Sequence, residues 1–85
     1  MLFSNEAKGT ILAQYRKQHG MTQSYVCNET SVTNSHLSLV ESGKRGFGKK
    51  NLLKILDLYR VSPDTYIKDV IQEEARISCQ LREKI

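Results

Sequence analysis

Eighty-five residues with an apolar share of 39% allow one small domain, and no segment supplies the ~20 apolar residues that a membrane-spanning helix needs. The net charge is +4 and uneven: residues 1–60 carry nine Lys/Arg against four Asp/Glu, residues 61–85 four against five. The basic surplus suits a polyanion such as nucleic acid, and plain solubility accounts for it equally well.

The first helix is expected to start after Ser4 or Asn5, either of which can cap it. Ala7, Ile11, Leu12 and Tyr15 make its apolar stripe, and Gly20 ends it. The N-terminal stretch, MLFSNEAKG, lacks the basic region and long apolar run expected of a signal peptide. Residues 22–43 read as two short helices joined by a tight turn. Thr22 and Thr33 can cap them, and Val26, Val32, Leu37 and Val40 supply apolar contacts. Cys27 is a small residue where two helix backbones can approach. Helices this short do not hold themselves together, so the other segments serve to fix their angle.

The loop Ser42-Gly43-Lys44-Arg45-Gly46-Phe47-Gly48-Lys49-Lys50 has three glycines, four cations and no acid. The helix that follows runs to about Tyr59, with Leu52, Leu53, Ile55 and Leu56 as its core candidates. Lys49 and Lys50 in its first turn oppose the helix dipole. A phosphate over that end would turn the penalty into a gain; an ordinary solvated loop is the alternative. Ser62-Pro63-Asp64 opens a last helix that nothing breaks before Lys84, about 30 Å at 1.5 Å per residue. Ile67, Val70, Ile71, Ile77, Leu81 and Ile85 recur on it at three- and four-residue steps around Glu74. That face reads as a dimer interface, with a self-packing or frayed helix as the alternative, and Cys79 falls near the seam.

The register Thr22-Gln23, Cys27, Val32-Thr33-Asn34-Ser35, then Leu37, Val40, Glu41, Gly43, Lys44 and Arg45, resembles the helix-turn-helix of the Cro/C1-repressor (XRE-like) family, from about Ile11 to Tyr66. The implied fold is all-α: a compact five-helix Cro/C1 repressor-like domain over residues 1–66, with a helical extension over 67–85 that dimerises. Three departures bear on local geometry. Ser31 stands where the family usually has Gly at positive φ, Thr30 replaces an aliphatic, and Phe47-Gly48 replaces the usual Pro-Ser. The resemblance also implies an ion pair between Arg16 and Glu41 that fixes orientation more than it stabilises.

By the same resemblance, the recognition helix, residues 33–41, lies in the major groove of double-stranded DNA. Asn34, Ser35, Ser38 and Leu39 would meet bases: Asn34 an adenine edge, Ser35 either partner, Leu39 a thymine methyl. Gln23, Ser42, Lys44, Arg45, Lys49 and Lys50 would meet phosphates. His36 reads equally as a contact and as a surface histidine without a role. The expected protein is a cytoplasmic, homodimeric transcriptional regulator with no cofactor. His19, His36, Cys27 and Cys79 have no metal-ligand spacing, and no nucleophile–base pattern suggests an enzyme. The competing expectation is a module that binds a partner protein through the same scaffold, as an antitoxin does.

Overall fold

α1 (Asn5–Gln18) begins where Ser4, in extended backbone, turns its hydroxyl to accept the Ala7 N–H at 3.1 Å. The computed structural model describes the backbone of residues 4–83 and the side chains of residues 4–78. After Gly20 (φ 66°) the chain enters α2 (Gln23–Thr30), capped by Thr22, and then α3 (Asn34–Glu41), capped by Thr33. Both threonine hydroxyls accept a backbone N–H three residues on at 3.1 Å, which satisfies a donor that a helix start otherwise leaves orphaned.

The turn between α2 and α3 runs through Ser31 in the left-handed region, φ 61°. A side chain there is strained by about 1 kcal/mol, and the neighbouring Thr30 does not add to it. Thr30 is buried, and its hydroxyl donates to the Val26 carbonyl at 2.7 Å, so the polar substitution in the core is satisfied. α4 (Lys49–Tyr59) opens on Gly48, which offers no side-chain cap. α5 (Pro63–Glu83) opens on Ser62, whose hydroxyl accepts the Thr65 N–H at 3.2 Å.

Packing follows the apolar stripes. α1 lies against α3 and α5, α2 against α3 and α4, and α4 against α5. Ala7, Ile11, Leu12 and Tyr15 meet Val26, Leu37 and Val40, and Ile55, Leu56, Tyr59, Tyr66 and Val70 close the same core. Two glycines permit the tightest contacts. A Cβ on Gly9 would fall 2.1 Å from the Val40 carbonyl oxygen, so α1 rests on the C-terminal turn of α3 at a distance only Gly allows. Gly43, at φ 82°, brings the next turn to within 3.0 Å of the Glu6 Cα by the same measure.

Three sequence expectations change. Leu53 is 43% exposed and stands outside the core. Val70 is 1% exposed and is not free to form a dimer interface, and Ile77 is half-buried against the core, which leaves only part of its side chain for a partner. The reason is that α5 carries two faces. Tyr66, Val70, Glu73 and Ile77, at steps of four, three and four, make the inward stripe, and Ile67 and Ile71 lie beside it, 46% and 49% exposed. Ser4 donates to the Glu74 carboxylate at 2.7 Å, and the Tyr15 hydroxyl donates to Asp69, which ties α5 to α1 well past residue 66. The side chains of Cys79, Leu81 and Ile85 lie outside the described residues.

Candidate nucleic-acid interface

The N-termini of α2 and α3 open side by side onto one groove of about 680 Å³. Arg16, Met21, Thr22, Gln23, Ser24, Asn34, Ser35 and Ser38 line it. Its floor is a fixed polar network. Arg16 Nε and Nη2 donate to the two Glu41 carboxylate oxygens at 2.8 and 3.0 Å, and Nη1 donates to the Met21 carbonyl at 2.9 Å. Gln23 Nε2 donates to Glu41 Oε1 at 3.0 Å. Both charged side chains are nearly buried, at 13% and 8% exposure. The hydrogen bond to Glu41 raises the Arg16 pKa further, so the guanidinium holds its proton at any working pH. The network joins α1, the start of α2 and the end of α3, and so sets the angle between the two capped helices.

On the rim, Asn34, Ser35 and Ser38 are exposed. Sequence reasoning singled out Gln23 as a phosphate contact, whereas its carboxamide nitrogen is turned inward to Glu41. Leu39 is half-buried and is not among the lining residues. Its carbonyl accepts the Lys44 N–H at 2.9 Å, the Arg45 N–H at 3.3 Å and the Ser42 hydroxyl at 3.0 Å. The basic loop is thereby folded back on the end of α3, with the charged ends of Lys44 and Arg45 left exposed. Lys49 and Lys50 stand exposed on the first turn of α4.

Three participants escaped sequence reasoning. Thr22 and Ser24 share the groove, which their place at the start of α2 could have indicated. Phe47 comes out of the basic loop to meet His36, ring centres 4.9 Å apart, and packs against the core. No local pattern pairs those two residues. Burial pushes the Cys27 thiol pKa up, so it packs as a small apolar residue and not as a reactive thiolate. Among the described residues no helix is long and apolar enough to cross a membrane.

Two capped helices held at a fixed angle, with the second presenting a polar outer face, define a helix-turn-helix protein. Residues 12–66 match the helix-turn-helix family model, and the chain belongs to that family, in its Cro/C1 type. A 62-residue stretch, 73% of the chain, is 32% identical to the type II methyltransferase M.Sau96I of Staphylococcus aureus. The chain spans only 14% of that protein's length, and the match says nothing of methyl transfer here.

Solved structures share the fold. The clp gene regulator ClgR from Corynebacterium glutamicum matches with a TM-score of 0.89 at 20% identity, over 94% of this chain and 85% of that one. The restriction-modification controller protein C.Esp1396I, a tetramer in complex with its natural 35-base-pair operator, matches with a TM-score of 0.75 at 21% identity, over 88% of this chain and 99% of that one. The controller protein C.AhdI from Aeromonas hydrophila gives 0.69 at 22% identity, over 73% and 94% of the two chains.

Proposed function

We propose that the chain is a sequence-specific transcriptional regulator that binds an inverted-repeat operator as a homodimer, with α3 in the major groove and α2 crossing the backbone. The observation that carries the reading is placement: Asn34, Ser35 and Ser38 stand exposed on one groove, and four exposed cations follow them on the loop and the first turn of α4. Lys44, Arg45, Lys49 and Lys50 then hold phosphates and set the register, and the polar rim faces the bases. The half-buried Leu39 side chain reaches a thymine methyl, and Gln23 serves a backbone contact through its N–H at the start of α2, while Ser42 meets a phosphate only by turning its hydroxyl away from the Leu39 carbonyl.

The second copy covers the outer face of α5. Ile67 and Ile71 stand there, Pro63 lies one turn before Ile67, and Leu53 shares a groove with Pro63. Solvated apolar side chains clustered this way gain by burial, at about 25 cal/mol per Å². The neighbour C.Esp1396I assembles on its operator as a tetramer, which supports an oligomeric reading. A dimer would place the two recognition helices about 34 Å apart, one turn of duplex. A gel shift with random duplex at low salt is the first test, and a shift is expected. No shift at all would move the reading to a module that binds a partner protein through the same exposed face. Ile71→Glu is expected to turn the protein monomeric in sedimentation and to weaken operator binding, with the helical content unchanged.

A further inference from the structure

We propose that His36 makes a proton-dependent contact with a duplex phosphate, and that Phe47 holds the imidazole in place for it. The inference rests on the DNA-binding reading and adds a pH response to it. His36 belongs neither to the core nor to the lining of the groove. It stands on the flank of α3, three residues before Leu39, whose carbonyl receives the N–H groups of Lys44 and Arg45. It is half-buried and lies against Phe47, with ring centres 4.9 Å apart and planes at 59°. Phe47 itself packs against the core, and Gly46 and Gly48 on either side of it have no side chains. One aromatic contact thus joins the basic loop to the recognition helix.

The charges around the ring leave a proton on it without a partner. The loop and the first turn of α4 bring Lys44, Arg45, Lys49 and Lys50, all exposed. On its own helix the one acid, Glu41, is held by Arg16 and Gln23. α1 brings Glu6, Lys8, Arg16 and Lys17, and α2 brings Tyr25, Cys27 and Glu29. Among the described residues no carboxylate forms an ion pair with His36. A duplex phosphate supplies the missing negative charge, and the hydrogen bond of a charged imidazole to it is of the stronger, charge-assisted kind. Histidine is the side chain whose charge changes between pH 5 and 8. Binding therefore takes up a proton, and affinity rises as pH falls. The protonated ring is also within the ~6 Å reach of cation–π attraction to Phe47, so the contact that positions it survives the charge.

The test measures affinity for a random-sequence duplex by fluorescence anisotropy at fixed ionic strength, at pH 8 and pH 6. Phosphate contacts carry no sequence information, so no operator is needed. The parent chain is expected to bind roughly three- to tenfold tighter at pH 6, tenfold being the effect of a one-unit shift on binding. Its slope of log affinity against log salt should steepen by up to about 0.9, the share of one phosphate. His36→Gln, which stays neutral, should remove both effects. His19→Gln should keep them, because His19 stacks on Tyr59 and its Nδ1 donates to the Tyr15 carbonyl, outside the groove. Phe47→Leu keeps an apolar side chain against the core and should lose at least half of the response. Unchanged circular dichroism is the check that the variants fold. An NMR titration of His36 in the parent needs no variant: its curve should move to higher pH when duplex is added. An affinity equal at the two pH values, a response that survives His36→Gln, or a titration curve that duplex leaves in place overturns the inference and leaves the DNA-binding reading standing. A full response in Phe47→Leu overturns the role given to Phe47. A parent chain that binds no duplex at either pH overturns both the inference and the reading beneath it.

Discussion

Tyr59 is wholly buried, and its hydroxyl has no hydrogen-bond partner among the described residues. The ring is well used. It meets Tyr15 edge-on at 6.3 Å, and His19 stacks over it at 6.1 Å. The hydroxyl instead adds a desolvation cost of about 1–3 kcal/mol. Tyr59→Phe keeps the ring contacts and removes that cost, so the variant is expected to melt at the parent temperature or above it. A loss greater than about 1 kcal/mol in a denaturant titration would show that the hydroxyl is held by something the geometry does not reveal. Alkali acts on the same core. Burial pushes the Tyr66 pKa up to about 12, so its neutral form is the one the fold accommodates. That contribution to stability is complete below the unfolded value near 10 and is lost as pH rises from there through about 12. Stability measured from pH 8 to 12 should therefore hold level and then fall. A fall that is complete before pH 10 would contradict it.

The contact of α1 with α3 depends on an absent side chain. Gly9→Ala improves local helix propensity by about 1 kcal/mol, yet its methyl would meet the Val40 carbonyl, and overpacking of this kind costs about 1–3 kcal/mol. A lower melting temperature is expected; an unchanged or raised one would show that α1 can back away without loss. Sequence alone made much of this level legible. Caps at Ser4, Thr22 and Thr33 and the α1 stripe rest on local chemistry, and residues three or four apart suffice to read them, whereas the positive φ at Ser31 is expected only from the family resemblance. α5 was harder. Its apolar residues occupy two neighbouring faces, and only the position of α1 determines that Val70 and Ile77 point inward while Ile67 and Ile71 point out. Leu53 was misjudged for the same reason, since helical spacing gives a face and not what covers it. The inward turn of Gln23 depends on Glu41, eighteen positions away, and no local pattern signals it.

At the scale of the whole molecule, α5 is part of the domain as far as its side chains are described. Glu73 is buried, Glu74 takes the hydrogen bond of Ser4, and Ile77 rests on the core. Removing residues 72–85 is thus expected to lower the melting temperature as well as any dimer affinity, by about 2 kcal/mol or more for the lost apolar packing. A truncated chain that melts with the parent would show that these contacts are idle. The organisation as a whole serves one surface: a fixed network of Arg16, Glu41 and Gln23 beneath, neutral hydrogen-bonding groups on the rim, and loop cations beyond it. The direct measurement is the salt dependence of duplex binding by fluorescence anisotropy. Each phosphate neutralised contributes about −0.9 to the slope of log affinity against log salt. If Lys44, Arg45, Lys49 and Lys50 each hold one, the slope is near about −3.6 per protomer, and replacing Lys49 and Lys50 by Ala makes it shallower by about 2. A slope near zero, or one that those two replacements leave unchanged, would contradict the account.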